Sequence, residues 1–138
     1  MKLEEYISNI NERYKLGNAT EHTFRGDLQQ LLESLNPEIR ATNEPKRQSG
    51  GAPDFIITQN NIPLGFIEAK DIGDTDLEGI KKAGNKEQFD RYKASLDNLI
   101  FTDYLDFHLY PDTSELELGT TPPCGHPSRG GEFFVDKF

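Results

Sequence analysis

Between Asp54 and Lys70 the residue pattern leaves few folding options. Asp54-Phe55-Ile56-Ile57-Thr58 is followed by Gln59-Asn60-Asn61 and then by Pro63-Leu64-Gly65-Phe66-Ile67-Glu68-Ala69-Lys70. Two apolar runs of strand length around a polar turn predict a β-hairpin, which sets its two open ends side by side. Asp54 then begins one strand next to the place where Glu68 and Lys70 end the other. Side chains alternate along a strand, so Glu68 and Lys70 share a face. Burying two carboxylates and an ammonium at the end of an apolar run is costly unless they pair or hold a metal. That cost makes the hairpin end a candidate site for chemistry.

The flanking segments predict helices and further strands. Leu3, Tyr6, Ile7, Ile10 and Tyr14 recur at helical spacing over residues 2 to 15, and Gly17-Asn18 ends the run. A second helix follows at once, with Thr20 as its N-cap and with Phe24, Leu28, Leu31, Leu32 and Leu35 as one apolar stripe that stops at Asn36-Pro37. A short strand is expected over Ile39 to Asn43, then a polar, glycine-rich loop from Glu44 to Ala52. Beyond the hairpin, Lys86 to Leu96 reads as a helix, and Asn98–Thr102 and Asp106–Tyr110 as strands. The expected class is α/β, with a mixed central sheet of about four or five strands flanked by helices on both faces. Residues 1–118 form that domain. Residues 119–138, rich in Pro and Gly, are expected to be a loosely attached tail.

Composition narrows the setting. At 138 residues the chain fits one domain, large enough to hide about two-thirds of its extended-chain surface. It has no apolar run long enough for a membrane span and no signal-peptide pattern, and its mean hydropathy is -0.70. The expected compartment is the cytoplasm. The single cysteine, Cys124, excludes an internal disulfide and cannot alone make a zinc site. A net charge of -9 weighs against a nucleic-acid partner, because Lys and Arg supply most phosphate affinity. The charge is uneven, however: Arg40 to Arg47 holds three basic residues against one acid, and Lys81 to Lys93 five against two. Carboxylates that bind a cation also reverse their sign locally.

Asp54, Glu68 and the backbone carbonyl of Ala69 form a hard oxygen set suited to Mg²⁺, with Mn²⁺ able to substitute. An ion held in this way keeps several waters and can grip a phosphate. Phosphodiester hydrolysis needs charge stabilisation, an activated water and help for the leaving oxygen. Lys70 would orient the water, either as an ammonium that stabilises hydroxide or as an amine that accepts the proton.

The succession Pro53-Asp54, a spacer, then Glu68-Ala69-Lys70 resembles the signature of the PD-(D/E)XK nuclease superfamily. Thr20-Glu21-His22-Thr23-Phe24-Arg25, Asn43-Glu44-Pro45, Gly51-Ala52-Pro53-Asp54-Phe55 and Phe66-Ile67-Glu68-Ala69-Lys70-Asp71-Ile72-Gly73 extend the likeness. Together they are similar to the N-terminal nuclease of single-chain restriction-modification enzymes, of type IIG or single-polypeptide type I. Gln88-Phe89-Asp90-Arg91-Tyr92 is similar to the Q-x-x-x-Y element on the helix after the ExK strand. Four residues apart, Gln88 and Tyr92 share a helix face.

The resemblance implies a restriction-endonuclease-like core and a Mg²⁺-dependent endodeoxyribonuclease acting on double-stranded DNA. Asp54, Glu68, Lys70, Gln88 and Tyr92 would be catalytic, and Asp54, Glu68, Ala69 and Glu21 would bind metal. Lys46, Arg47 and Arg91 would contact DNA. In that group an adenine-specific methyltransferase follows the nuclease on one chain. No N-P-P-Y-like element or glycine-rich cofactor loop is present here, so a methyltransferase or specificity domain or subunit is the expected partner. The chain is then expected to be a fragment or a solitary nuclease. A homodimer would serve double-strand cleavage.

The same residues also admit plainer readings. Asp54, Glu68 and Lys70 can be a hairpin-end salt bridge. Glu21 and Arg25 can be an i,i+4 helix pair, and Gln88 and Tyr92 a helix face with a half-buried ring. Lys46 and Arg47 can be solvated loop charges. His22, His108 and His126 lie in separate elements and take no catalytic role. The rival functional reading is an inactive nuclease-fold module for DNA binding or complex assembly.

Overall fold

The computed structural model describes residues 1–48, 51–77, 83–111 and 133–134, with residues 83–85 and 133–134 described by their backbone only. Helix α1 spans Leu3–Lys15 and α2 spans Arg25–Leu35; strands β1 (Ile39–Asn43), β2 (Phe55–Gln59) and β3 (Ile62–Ala69) follow. Helix α3 (Ala83–Ser95) leads to β4 (Leu99–Thr102), β5 (Phe107–Tyr110) and the two-residue β6 (Phe133–Phe134). The expected succession of helices, three strands, helix and strands is present.

Helix α1 carries Glu4 and Glu5 in its first turn and Arg13 and Lys15 in its last, the order that complements the helix dipole. It stops at Gly17, whose φ of 71° is the left-handed conformation of a helix C-terminus. Thr20 does not cap α2. Its N–H donates to Thr23 Oγ1 at 2.8 Å inside a separate turn, and the helix begins at Arg25 with Phe24 as the capping residue. Burial of Phe24 against Tyr104, ring centroids 5.4 Å apart, sets that starting point. The apolar stripes also end early: Tyr14 and Leu35 lie exposed.

The strands form one mixed sheet in the order β1-β2-β3-β4-β5-β6. All neighbours pair antiparallel except β3 and β4, which run parallel and are connected through α3. β2 and β3 form the expected hairpin, with Asn60 and Asn61 at φ 50° and 65°. Positive φ at both central residues is the mark of a two-residue turn whose twist matches the strands. Ile57 pairs with Gly65 and Thr58 with Pro63, so Leu64 is an extra residue, a bulge beside the proline that cannot donate to a ladder. Of the segment expected to be a tail, Phe133–Phe134 is described and pairs with β5. Cys124, His126 and the rest of that segment lie outside the described residues, as do Lys81 and Lys82.

Strand alternation divides the core into two clusters. On one face Tyr6, Ile10, Phe24, Leu28 and Leu31 from α1 and α2 pack with Ala41, Phe55, Ile67, Ala69 and Tyr104. On the other, Tyr92 and Leu96 join Leu99, Phe101 and Tyr110, with Phe66 and Phe89 against them. Helices therefore cover both faces, as expected. Ile67 and Ala69 point to the α1/α2 side, which leaves Phe66 and Glu68 for the α3 side. Among the described residues, no helix is long and apolar enough to cross a membrane.

The parallel seam leaves no room at Gly65, where an added Cβ would lie 2.5 Å from the backbone oxygen of Asn98. That oxygen accepts the first β3–β4 bond, from Phe66 N–H at 3.1 Å. Gly65→Ala is therefore expected to destabilise the fold by about 1–3 kcal/mol. A urea midpoint equal to that of the unsubstituted protein would refute this crowding.

Candidate functional site

Glu68 is the penultimate residue of β3 and pairs in register with Phe101 on β4. Strand alternation and the α3-side aromatic cluster bury it to 5 % exposure. Helix α3 is seated by Phe89, whose ring lies 5.1 Å from Phe101 and 5.2 Å from Tyr110. That docking brings the neighbouring Gln88 to the carboxylate. Gln88 Nε2 donates to Glu68 Oε1 at 2.9 Å, and Gln88 Oε1 accepts from Lys70 Nζ at 2.9 Å. Lys70 Nζ closes the triangle, donating to Glu68 Oε1 at 3.1 Å.

All of this bonding falls on one oxygen. Glu68 Oε2 is buried and has no hydrogen-bond partner among the described residues. Burial first, and the nearby Asp54 carboxylate second, raise the Glu68 pKa above its ordinary value; Lys70 and Gln88 pull it down only in part. A buried carboxylate oxygen with unused lone pairs, in a group that feels a second carboxylate nearby, is an arrangement that a cation would complete.

Asp54 sits just before β2, and its side chain crosses to the end of β3. Ala69 N–H donates to Asp54 Oδ2 at 2.8 Å, while Arg25 Nη2 donates to Oδ1 in a very short ion pair. The Arg25 guanidinium is itself buried at 5 % exposure and reaches Glu44 at 2.9 Å, Asn43 at 3.5 Å and Glu21 at 3.7 Å. Its Nε has no partner among the described residues. Tyr104 backs this group. Its hydroxyl, pushed above its usual pKa by burial and so a dependable donor, gives a 2.5 Å hydrogen bond to the Glu21 carbonyl.

The structure thus gathers Asp54, Glu68, Lys70, Ala69 and Gln88 at one end of the central hairpin. Glu21 lies beside them through its ion pair with Arg25, the i,i+4 contact that its spacing allowed. Among the described residues, no three or more His, Cys, Asp or Glu side chains cluster as a metal cage. Tyr92 makes no hydrogen bond to Asp54, Glu68 or Lys70 among the described contacts. Its ring is buried and stands against Gly51, where a Cβ would come within 2.5 Å of Tyr92 Cε1. Gly51 has φ 140° and exchanges two backbone hydrogen bonds with Gln48, at 2.6 and 3.1 Å. Tyr92 therefore braces the segment leading into Asp54. Lys46 and Arg47 are exposed on the same loop, and Arg91 is exposed on α3 with its guanidinium 5.6 Å from the Tyr92 ring centre.

Sequence reasoning missed two features. The reach of Arg25 from α2 to Asp54, 29 positions away, has no short-range signal. Gly51 carried one, since an isolated requirement for glycine marks either a turn or a close backbone approach, but its Gly-rich surroundings read as an ordinary loop.

The sequence matches no family model and no curated protein. Among solved structures, the chain is similar to one from a cryo-EM structure of a DrdV–DNA complex, with a TM-score of 0.62 and 21% identity. The likeness covers 79% of this chain and 11% of that one, so the chain spans about a ninth of the length of its structural relative. It agrees with the restriction-endonuclease-like α/β core expected from the sequence.

Because the Glu68 carboxyl binds its proton more tightly when folded, it favours folding at low pH, and that contribution is lost as pH rises through its raised folded-state pKa. At neutral pH the ionised form is therefore a burden on stability. Glu68→Gln should melt above the unsubstituted protein near neutrality, with the gap closing as pH falls toward the ordinary carboxylate range. Thermal melts across pH that show a lower midpoint for Glu68→Gln at pH 7 would contradict the assigned strain.

Proposed function

We propose that this chain is the catalytic core of a Mg²⁺-dependent endonuclease that hydrolyses phosphodiester bonds in double-stranded DNA. The observation that carries the reading is the buried Glu68 Oε2, without a hydrogen-bond partner among the described residues, in a carboxylate that feels the nearby charge of Asp54. The donor chemistry fits: Asp54, Glu68 and the Ala69 carbonyl offer hard oxygens, and too few for a closed cage, which suits an ion that retains water and binds phosphate. When bound, Mg²⁺ would supply charge stabilisation for the phosphoryl oxygens and lower the pKa of a water.

The chain's own groups do the rest. Ala69 N–H fixes the Asp54 carboxylate on the end of β3. Gln88 holds Lys70 against Glu68 and limits its rotamers, so that an ammonium stands beside the place where a hydroxide would form. Lys70, its charge offset by Glu68, would either stabilise the developing hydroxide as an ammonium or, as a neutral amine, accept the proton that the attacking water releases. Lys46, Arg47 and Arg91 are exposed and would meet backbone phosphates. The structural relative is a DNA complex, which favours DNA as the substrate. Sequence choice would come from a methyltransferase or specificity domain or subunit, and double-strand cleavage from a second copy of the chain.

One observation favours a second reading, an inactive module that keeps the fold for DNA binding or assembly: Arg25 already neutralises Asp54. Nicking of supercoiled plasmid in Mg²⁺ separates the two. Glu68→Ala is expected to abolish nicking and Lys70→Ala to slow it by about 10²–10⁴-fold, with DNA retention in Ca²⁺ preserved and salt-sensitive. Equal nicking by the unsubstituted protein and Glu68→Ala rejects the nuclease, and absence of a gel shift in Ca²⁺ at low salt rejects DNA as the partner.

A further inference from the structure

The Arg25–Asp54 ion pair stands in the way of the proposed cation. Asp54 Oδ2 is engaged by Ala69 N–H and Oδ1 by Arg25, so each oxygen that could face an ion already accepts a hydrogen bond. The guanidinium is buried, and it faces three carboxylates, those of Glu21, Glu44 and Asp54. An arginine tied to Asp54 alone would be a simple structural pair. This one has other acceptors within reach: the Glu44 side chain at 2.9 Å, Asn43 Oδ1 at 3.5 Å and Glu21 at 3.7 Å. Glu44 is largely exposed, with 70% of its side-chain surface open, and so can follow a moving partner. A divalent ion and a guanidinium on the same carboxylate repel one another strongly inside a protein, where screening by water is weak.

We infer that Arg25 is a positioning residue that competes with the metal for Asp54: it holds the carboxylate in line and yields it, turning to Glu44 and Glu21, when a divalent cation docks. The inference rests on the metal-site reading above. On this account metal binding and the grip of α2 on the β1–β2 loop are exclusive in part, and the energy of the Arg25–Asp54 pair is deducted from metal affinity. Asp54 stays placed in both states because Ala69 N–H does not change partner.

Calorimetric titration with Ca²⁺ measures this without turnover. Arg25→Gln, which keeps hydrogen-bonding capacity but loses the charge, is expected to bind Ca²⁺ about tenfold more tightly than the unsubstituted protein, the scale of one charge-assisted hydrogen bond. Its thermal midpoint should fall, since Glu21, Glu44 and Asp54 then repel one another. A merely structural arginine predicts the reverse for the metal: a loosened site and weaker binding. Equal or weaker Ca²⁺ binding by a folded Arg25→Gln overturns the inference and leaves the nuclease reading standing. Absence of Ca²⁺ and Mn²⁺ binding by the unsubstituted protein overturns both. Should Arg25→Gln fail to fold, side-chain ¹⁵N spectra of the unsubstituted protein decide. The Arg25 guanidinium is expected to rotate slowly without Ca²⁺ and faster with it, and equal restraint in both conditions defeats the competition.

Discussion

A carboxylate buried beside aromatic rings is the constraint around which the rest of this domain is arranged. Glu68 lies on the apolar face of β3, opposite Phe101 and beneath α3. Its charge is tolerable there only because Lys70 and Gln88 converge on one of its oxygens. That convergence needs three things at once. The strand must alternate so that residues 68 and 70 share a face, β4 must run parallel so that a helix crosses over that face, and the Phe89 ring must seat the helix at a height that presents Gln88. Each is a property of ordinary packing, and the buried carboxylate requires all three together.

The second acid is held by different means. Asp54 belongs to the loop side of the hairpin and is fixed by a backbone N–H from the neighbouring strand and by an arginine from α2. Glu68 is thus governed by the α3 face and Asp54 by the α1/α2 face, and the two meet only at the sheet's end. Such divided support gives the two acids different partners: burial raises the pKa of Glu68, while Arg25 and the Ala69 N–H fix the position of the Asp54 carboxylate.

Much of this was legible in the sequence because it depends on local periodicity. The hairpin, its turn (expected over Gln59-Asn60-Asn61, with Gln59 in fact closing β2), the helix that carries Gln88 and the convergence of Asp54, Glu68 and Lys70 all follow from spacing that a strand or helix repeats. What escaped depends on distance in space. The start of α2 was misplaced because Thr20 is a good cap in isolation, whereas burial of Phe24 on Tyr104 decides the turn. The Arg25 contact with Asp54 joins segments that no short pattern relates. Tyr92 was placed on the correct helix face, but its ring braces the loop before Asp54. Pairing of Phe133–Phe134 with β5 was hidden in a stretch whose Pro and Gly content argued for a tail.

The contact between Gly51 and Tyr92 reaches beyond stability. A hydrogen at position 51 and an aromatic ring at position 92 fill one space between them, and the ring sits one helical turn beyond Gln88 on α3. The backbone at 51, with φ 140°, strains any side chain there whatever stands at 92, so the glycine is required twice over, by its own conformation and by the ring beside it. Change at this buried loop glycine would thereby be felt by the helix that holds Gln88 against Glu68.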